Sequence, residues 1–179
     1  MQLRLFDLHC DTILETHKCG LDIKSNDALH VSLDKSGDFS VYTQVFAVWS
    51  ERGVDPETLW KRFFEVKSTL ERQLPPELSE TAERRDNERG SEGRTRSGFS
   101  YILAMEGGAP INGELSRLDT LYKAGVRVLT PVWKGEDSIG GAYDTGAGLT
   151  DYGRALVRRC IKLGIAPDVS HASDRMTAE

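Results

Sequence analysis

Three places in this sequence set an imidazole or a carboxylate at the end of an apolar run. The first is Leu3-Arg4-Leu5-Phe6-Asp7-Leu8-His9-Cys10-Asp11-Thr12. Residues two apart in a strand point to the same side, so His9 and Asp11 should project together from the strand's C-terminal end. The second is Ala104-Met105-Glu106-Gly107-Gly108, a carboxylate followed by two residues that leave open space around its oxygens. The third, Pro167-Asp168-Val169-Ser170-His171, ends in an imidazole. By strand parity Asp168 and Ser170 share one face there, and Val169 and His171 the other. Each piece has an ordinary explanation when read alone: a chance His-x-Asp, a solvated turn glutamate, a histidine bonded to a loop. Read together they describe a two-metal centre. Glu106 would bridge two divalent ions about 3.5–4 Å apart, with His9 and Asp11 on one side and His171 on the other. Nitrogen and oxygen donors without thiolate suit zinc, with manganese or cobalt compatible. Such a pair makes a hydroxide nucleophile near neutral pH from a shared water.

The elements that must position these groups alternate. Apolar runs predict strands over Leu3–His9, Val41–Trp49, Tyr101–Glu106, Val126–Trp133 and Ile165–His171. A helix is expected from Pro56 to Leu74, where Leu59, Phe63, Val66, Leu70 and Leu74 recur at helical spacing. A second should run from Gly113 to Ala124, with Leu115, Leu118 and Leu121 on one side and Gly125 as a left-handed cap. A third starts after Thr150, a good N-cap, carries Tyr152, Leu156, Cys160 and Leu163, and stops at Gly164. Repeated strand–helix–strand units imply parallel strands with helices packed outside, and ligands at the strands' C-terminal ends. The charged stretch Glu77–Gly98 has no apolar periodicity. It reads as a solvated, disordered connection, with a short helix near Glu80–Arg89 as the alternative.

Composition limits the function classes. The chain has 179 residues, 39% of them hydrophobic and 28% charged, which fits one soluble domain with a real core. A formal net charge of -5 argues against a nucleic-acid partner. No stretch approaches the roughly 20 apolar residues of a membrane span, and no secretion signal precedes the first strand. Cys10, Cys19 and Cys160 have no paired spacing, so reduced thiols in a cytoplasmic protein are expected. Cys10 lies between His9 and Asp11 and should point the other way. His17 and His30 lie away from strand ends and read as surface or packing residues. Trp133, at the end of the fourth run, is positioned either to wall a small-molecule pocket or to cap the core. The segment Ile139–Gly148 lacks the phosphate-loop lysine and GxGxxG spacing, and is expected to form a flexible loop over the site.

These residues resemble the membrane dipeptidase (renal dipeptidase-like) family of zinc peptidases, in its bacterial branch. The matching pieces are Asp7–Thr12, His30-Val31-Ser32-Leu33, Gln44–Trp49, Met105-Glu106-Gly107-Gly108, Trp133–Asp137, Gly148–Gly153 and Asp168–His171. They occur in family order over almost the whole chain. The resemblance implies a TIM-type β/α barrel with two zinc ions that hydrolyses dipeptides, including some with a C-terminal D-residue. It implies that His9 and Asp11 bind one zinc, that Glu106 bridges, and that His171 binds the second. Animal members place a histidine near the end of the fourth strand to stabilise the tetrahedral intermediate. Trp133 stands there in this chain, so it is carried as a substrate-binding residue instead.

Only about five of the family's eight strand–helix units are expected within residues 1–179. The resemblance places a further zinc-binding histidine, a substrate-binding arginine and the catalytic aspartate in later units, so no residue here takes those roles. Five open strands leave two edges and an apolar flank, which predicts low stability, self-association or a complementing C-terminal chain. With ligands missing, the chain alone is expected to bind metal partially and to be an inefficient dipeptidase. The other readings are a non-catalytic fragment or assembly module of the same fold, and a different binuclear amidohydrolase. That superfamily commonly opens with His-x-His, so His-x-Asp leans toward the dipeptidase.

Overall fold

The computed structural model describes residues 3–80 and 98–179. Most of the charged connection expected over Glu77–Gly98 therefore lies outside the described residues. Five strands form one sheet in the order β1-β2-β3-β4-β5: β1 (Leu3–Cys10), β2 (Phe39–Trp49), β3 (Phe99–Glu106), β4 (Val126–Thr130) and β5 (Ala166–Pro167). The pairs β1–β2, β3–β4 and β4–β5 are parallel. The helices are α1 (Thr12–Cys19), α2 (Pro56–Gln73), α3 (Ser116–Lys123), α4 (Asp151–Leu163) and α5 (Asp174–Ala178). No helix among the described residues is long and apolar enough to cross a membrane.

The chain divides into two compact units, residues 1–47 with 65–102 and residues 48–64 with 103–179. In the first, β2 is buried without interruption from Tyr42 to Ala47. That is the pattern of a strand covered on both faces rather than one alternating toward water. Phe46 is fully buried, with its ring 6.1 Å from that of Tyr101. Val66, Leu70 and Leu74 of the α2 stripe are buried in this unit. His17 of α1 sits against α2, its Nδ1 2.9 Å from Thr69 Oγ1, and His30 is exposed, which fits their reading as packing and surface residues. β1 is different. It is the terminal strand of the sheet, and Leu3, Phe6 and Leu8 are 59%, 55% and 73% exposed.

In the second unit, the cores of α3 and α4 follow the spacing read from sequence: Leu118, Leu121, Leu156 and Cys160 are fully buried. Helix α3 begins three residues later than expected, because Asn112 and Gly113 take left-handed conformations that no helix can contain. Strand β4 ends at Thr130 rather than Trp133, since Pro131 has no N–H for the ladder. Strand β5 keeps two residues, and His171 lies beyond it in a turn. Burial and capping account for α4. Thr150 Oγ accepts from Gly153 N–H at 2.9 Å and donates to Ser138 C=O at 2.6 Å, and Gly164 closes the helix at φ 85°. Thr150→Ala removes both bonds and should cost about 1–2 kcal/mol, the upper range for a cap, read as a lower urea midpoint at unchanged slope.

Candidate metal centre

In the first unit, β1 and α1 bring His9 and Asp11 together. The ladder pairs Asp7 with Gln44 and Cys10 with Phe46, so three steps on β1 oppose two on β2. This bulge at the strand end re-aims the side chains that follow it. Gln44, fully buried, braces the strand: its Nε2 donates to the Asp7 carbonyl at 3.5 Å and to Val45 C=O at 3.1 Å. Tyr42 O–H donates to Gln44 Oε1 at 2.6 Å. Burial, with Asp7 adding to it, pushes that phenol up to about 12 and keeps it a donor.

Asp11 is not the strand residue expected but the N-cap residue of α1. An aspartate there ordinarily accepts from an N–H of the first turn. Here its side chain makes no capping bond, while its backbone carbonyl receives Leu14 and Glu15 N–H at 2.9 and 3.2 Å. Its carboxylate turns instead to His9, with Oδ2 3.7 Å from Nε2. Both side chains are about half exposed, at 51% and 41%. Cys10 has its thiol pushed up to about 11, chiefly by burial, so it offers a neutral SH rather than the thiolate that binds metals.

In the second unit, Glu106 closes β3 and is 5% exposed. Its backbone is fixed on the β2 side by Ser50 N–H donating to Glu106 C=O at 2.8 Å. The two glycines after it have a reason other than open space. Gly107 and Gly108 donate to Thr130 and Pro131 C=O, both at 2.8 Å. Gly107 does so at φ 89°, and a Cβ on Gly108 would meet the Pro131 oxygen at 2.7 Å. Glycine lets the chain stay this close while it turns away from Glu106.

His171 Nε2 stands 2.9 Å from Glu106 Oε1. The turn that carries it is built by Asp168, whose Oδ1 accepts Ser170 N–H at 3.0 Å and Ser170 Oγ at 2.5 Å. Asp168 Oδ2 accepts Thr130 Oγ at 2.8 Å. Asp168 thus builds the turn that carries His171. Trp133 lies 6.1 Å from the His171 ring and 5.1 Å, edge to face, from Trp49. The segment Ile139–Gly148, expected to be flexible, is instead tied down. Asp137 Oδ1 accepts Ile139 and Gly140 N–H, Asp144 Oδ1 accepts Gly135 N–H, and Ser173 Oγ donates to Ala147 C=O.

Each unit therefore carries one donor pair at strand ends: an imidazole with an N-cap carboxylate, and an imidazole with a buried carboxylate. Imidazole nitrogen and carboxylate oxygen fit a divalent ion. A carboxylate as buried as Glu106 calls for a cationic partner. The fold that presents these pairs is α/β, an incomplete TIM-type β/α barrel, as the superposition on a solved dipeptidase shows. The family model for membrane dipeptidases (peptidase family M19) matches residues 1–179, and the chain belongs to that family.

That solved structure, dipeptidase AC, a metallopeptidase of family M19, aligns at 25% identity with a TM-score of 0.79. A Rhodobacter sphaeroides metallopeptidase, solved with a phosphinate mimic of the dipeptide L-Ala-D-Ala, shares the fold at 22% identity and a TM-score of 0.78. The alignments cover 99% of this chain but 59% and 61% of those chains, so it spans less than two thirds of either. An uncharacterized protein from the PQQ-III 3' region of Acinetobacter calcoaceticus is 30% identical over 90 residues, 46% of this chain and 29% of that protein.

Proposed function

We propose that this chain forms part of a two-zinc dipeptidase centre, with His9 and Asp11 on one ion, His171 on the other and Glu106 between them. The observation that carries the reading is the nearly buried Glu106 carboxylate beside His171. A carboxylate only 5% exposed is the kind of oxygen donor a divalent cation stabilises, and His171 Nε2, 2.9 Å away, sets a nitrogen donor beside it. The Asp11 carboxylate, withheld from the helix cap it could make, supports the first pair. When bound, the metals would polarise the scissile carbonyl and lower the pKa of a shared water. The protein's own contribution is orientation. Gln44 and the β1 bulge aim His9, Asp168 builds the turn under His171, and Trp133 walls the site beside His171 against water.

Zinc titration by calorimetry, followed by a phosphinate mimic of L-Ala-D-Ala, tests this. The mimic should bind the zinc-loaded protein and not the chelator-treated one. Protein that retains no zinc, or binds the mimic equally without it, overturns the reading. A second reading is a non-catalytic module of the same fold. Zinc and mimic binding without release of amino acids from L-Ala-D-Ala would select it.

A further inference from the structure

Tyr143 is the aromatic residue that neither the sequence motifs nor the proposed centre accounts for. It is 61% exposed, although a tyrosine ring gains more than most side chains from burial. It is not loose. Tyr143 N–H donates to the His171 carbonyl at 2.8 Å, and the neighbouring Ala142, fully buried, pairs with Ala172 in an antiparallel bridge. On the other side, Thr145 N–H donates to Ala142 C=O at 2.9 Å. The ring stands 6.2 Å from the His171 ring at 51°. Trp133 stands 6.1 Å from the same imidazole at 45°, with Trp49 behind it. His171 thus has an aromatic neighbour in both Trp133 and Tyr143, one half-buried and one held out in water on a braced backbone.

We propose that Tyr143 is a specificity-determining residue. Its ring packs against a bulky apolar side chain of the substrate held beside His171, and so favours dipeptides with an aromatic or branched residue at that position. This rests on the dipeptidase reading and extends it to substrate choice. The physical ground is that a fixed, exposed ring loses little freedom on binding and removes apolar area from water on both partners.

The test compares phosphinate dipeptide mimics on the zinc-loaded protein, one with methyl side chains at both positions and two with a benzyl group at one position or the other. Tyr143→Ala should weaken one benzyl mimic about tenfold, within the range for losing one apolar pocket contact, and the methyl mimic less than about twofold. Tyr143→Phe should behave as the unsubstituted protein, and zinc affinity should be unchanged in both. Equal losses for all three mimics, or no loss for either benzyl mimic, overturns the proposal. So does Tyr143→Phe matching Tyr143→Ala, which would assign the effect to the hydroxyl. Failure of every mimic to bind the zinc-loaded, unsubstituted protein would instead sink the dipeptidase reading, and this proposal with it.

Discussion

Replacing Glu106 with alanine should abolish the zinc binding that the chain shows while leaving the fold standing. The two effects separate because of what surrounds the carboxylate. Breaking a buried ion pair usually costs about 3–5 kcal/mol, since the remaining charge stays buried and unpaired. Here His171, 2.9 Å from the carboxylate, is 31% exposed and keeps access to water. The stability loss should therefore fall well below that range, about 1–2 kcal/mol for a truncated buried side chain with some lost packing. Metal binding has no such relief. Even partners outside the coordination sphere cost about 10–100-fold in affinity when removed, and a bridging ligand belongs to both ions, so the loss for Glu106→Ala should exceed that. Glu106→Gln keeps the volume and should lose affinity too, because an amide oxygen carries no charge. Calorimetric zinc titration and metal analysis after desalting check the first effect, and urea unfolding checks the second. An alanine variant that retains the same zinc content at the same affinity would remove Glu106 from the centre.

That experiment bears on how the site can be read from sequence at all. The strand-end positions of His9 and Glu106 were legible because apolar runs with sharp ends reveal strand termini, the places where parallel strands gather ligands. Helix α2 was legible from its period: Leu59, Phe63, Val66, Leu70 and Leu74 repeat over about four turns and are all buried. What the pattern did not carry was backbone detail. Parity placed Asp11 on the strand, but it is a helix N-cap whose convergence with His9 follows a bulge at Asp7–Cys10. Periodicity carries no mark of an inserted residue. Strand β5 is five residues shorter than its apolar run predicts, because Val169 and His171 look alternating while Asp168 and Ser170 build a turn through each other's side chains. The segment Ile139–Gly148 looked mobile from its glycines. Asp137 holds its start by a local turn that the sequence could have shown, whereas the bonds from Asp144 to Gly135 and from Ser173 to Ala147 span 9 and 26 residues and leave no local signature.

Gly153→Ala should destabilise the protein, against the direction that helix propensity gives. Gly153 lies in the first turn of α4, and glycine in a helix is ordinarily about 1 kcal/mol worse than alanine. A Cβ at this position would sit 1.9 Å from the Ile139 carbonyl oxygen, less than two-thirds of an allowed contact. That oxygen cannot simply withdraw, because it accepts Thr150 N–H at 3.0 Å and lies 3.1 Å from Thr150 Oγ, and Ile139 itself is 1% exposed. Overpacking against fixed backbone costs about 1–3 kcal/mol, occasionally more. With a clash this deep the steric term should exceed the propensity gain, for a net loss of about 2 kcal/mol. Gly146→Ala is the control: it lies in the Ile139–Gly148 segment that Gly153 packs on, has open space around its Cβ position, and should shift stability by less than about 0.5 kcal/mol. The loss should also reach the site, since the strained segment runs on to Tyr143, whose N–H holds the His171 carbonyl. Amide exchange at Tyr143 should accelerate in Gly153→Ala and stay unchanged in Gly146→Ala. Equal urea midpoints for the two variants would mean that α4 relaxes away from Ile139, and that the docking of this segment on the helix does not fix the backbone under His171.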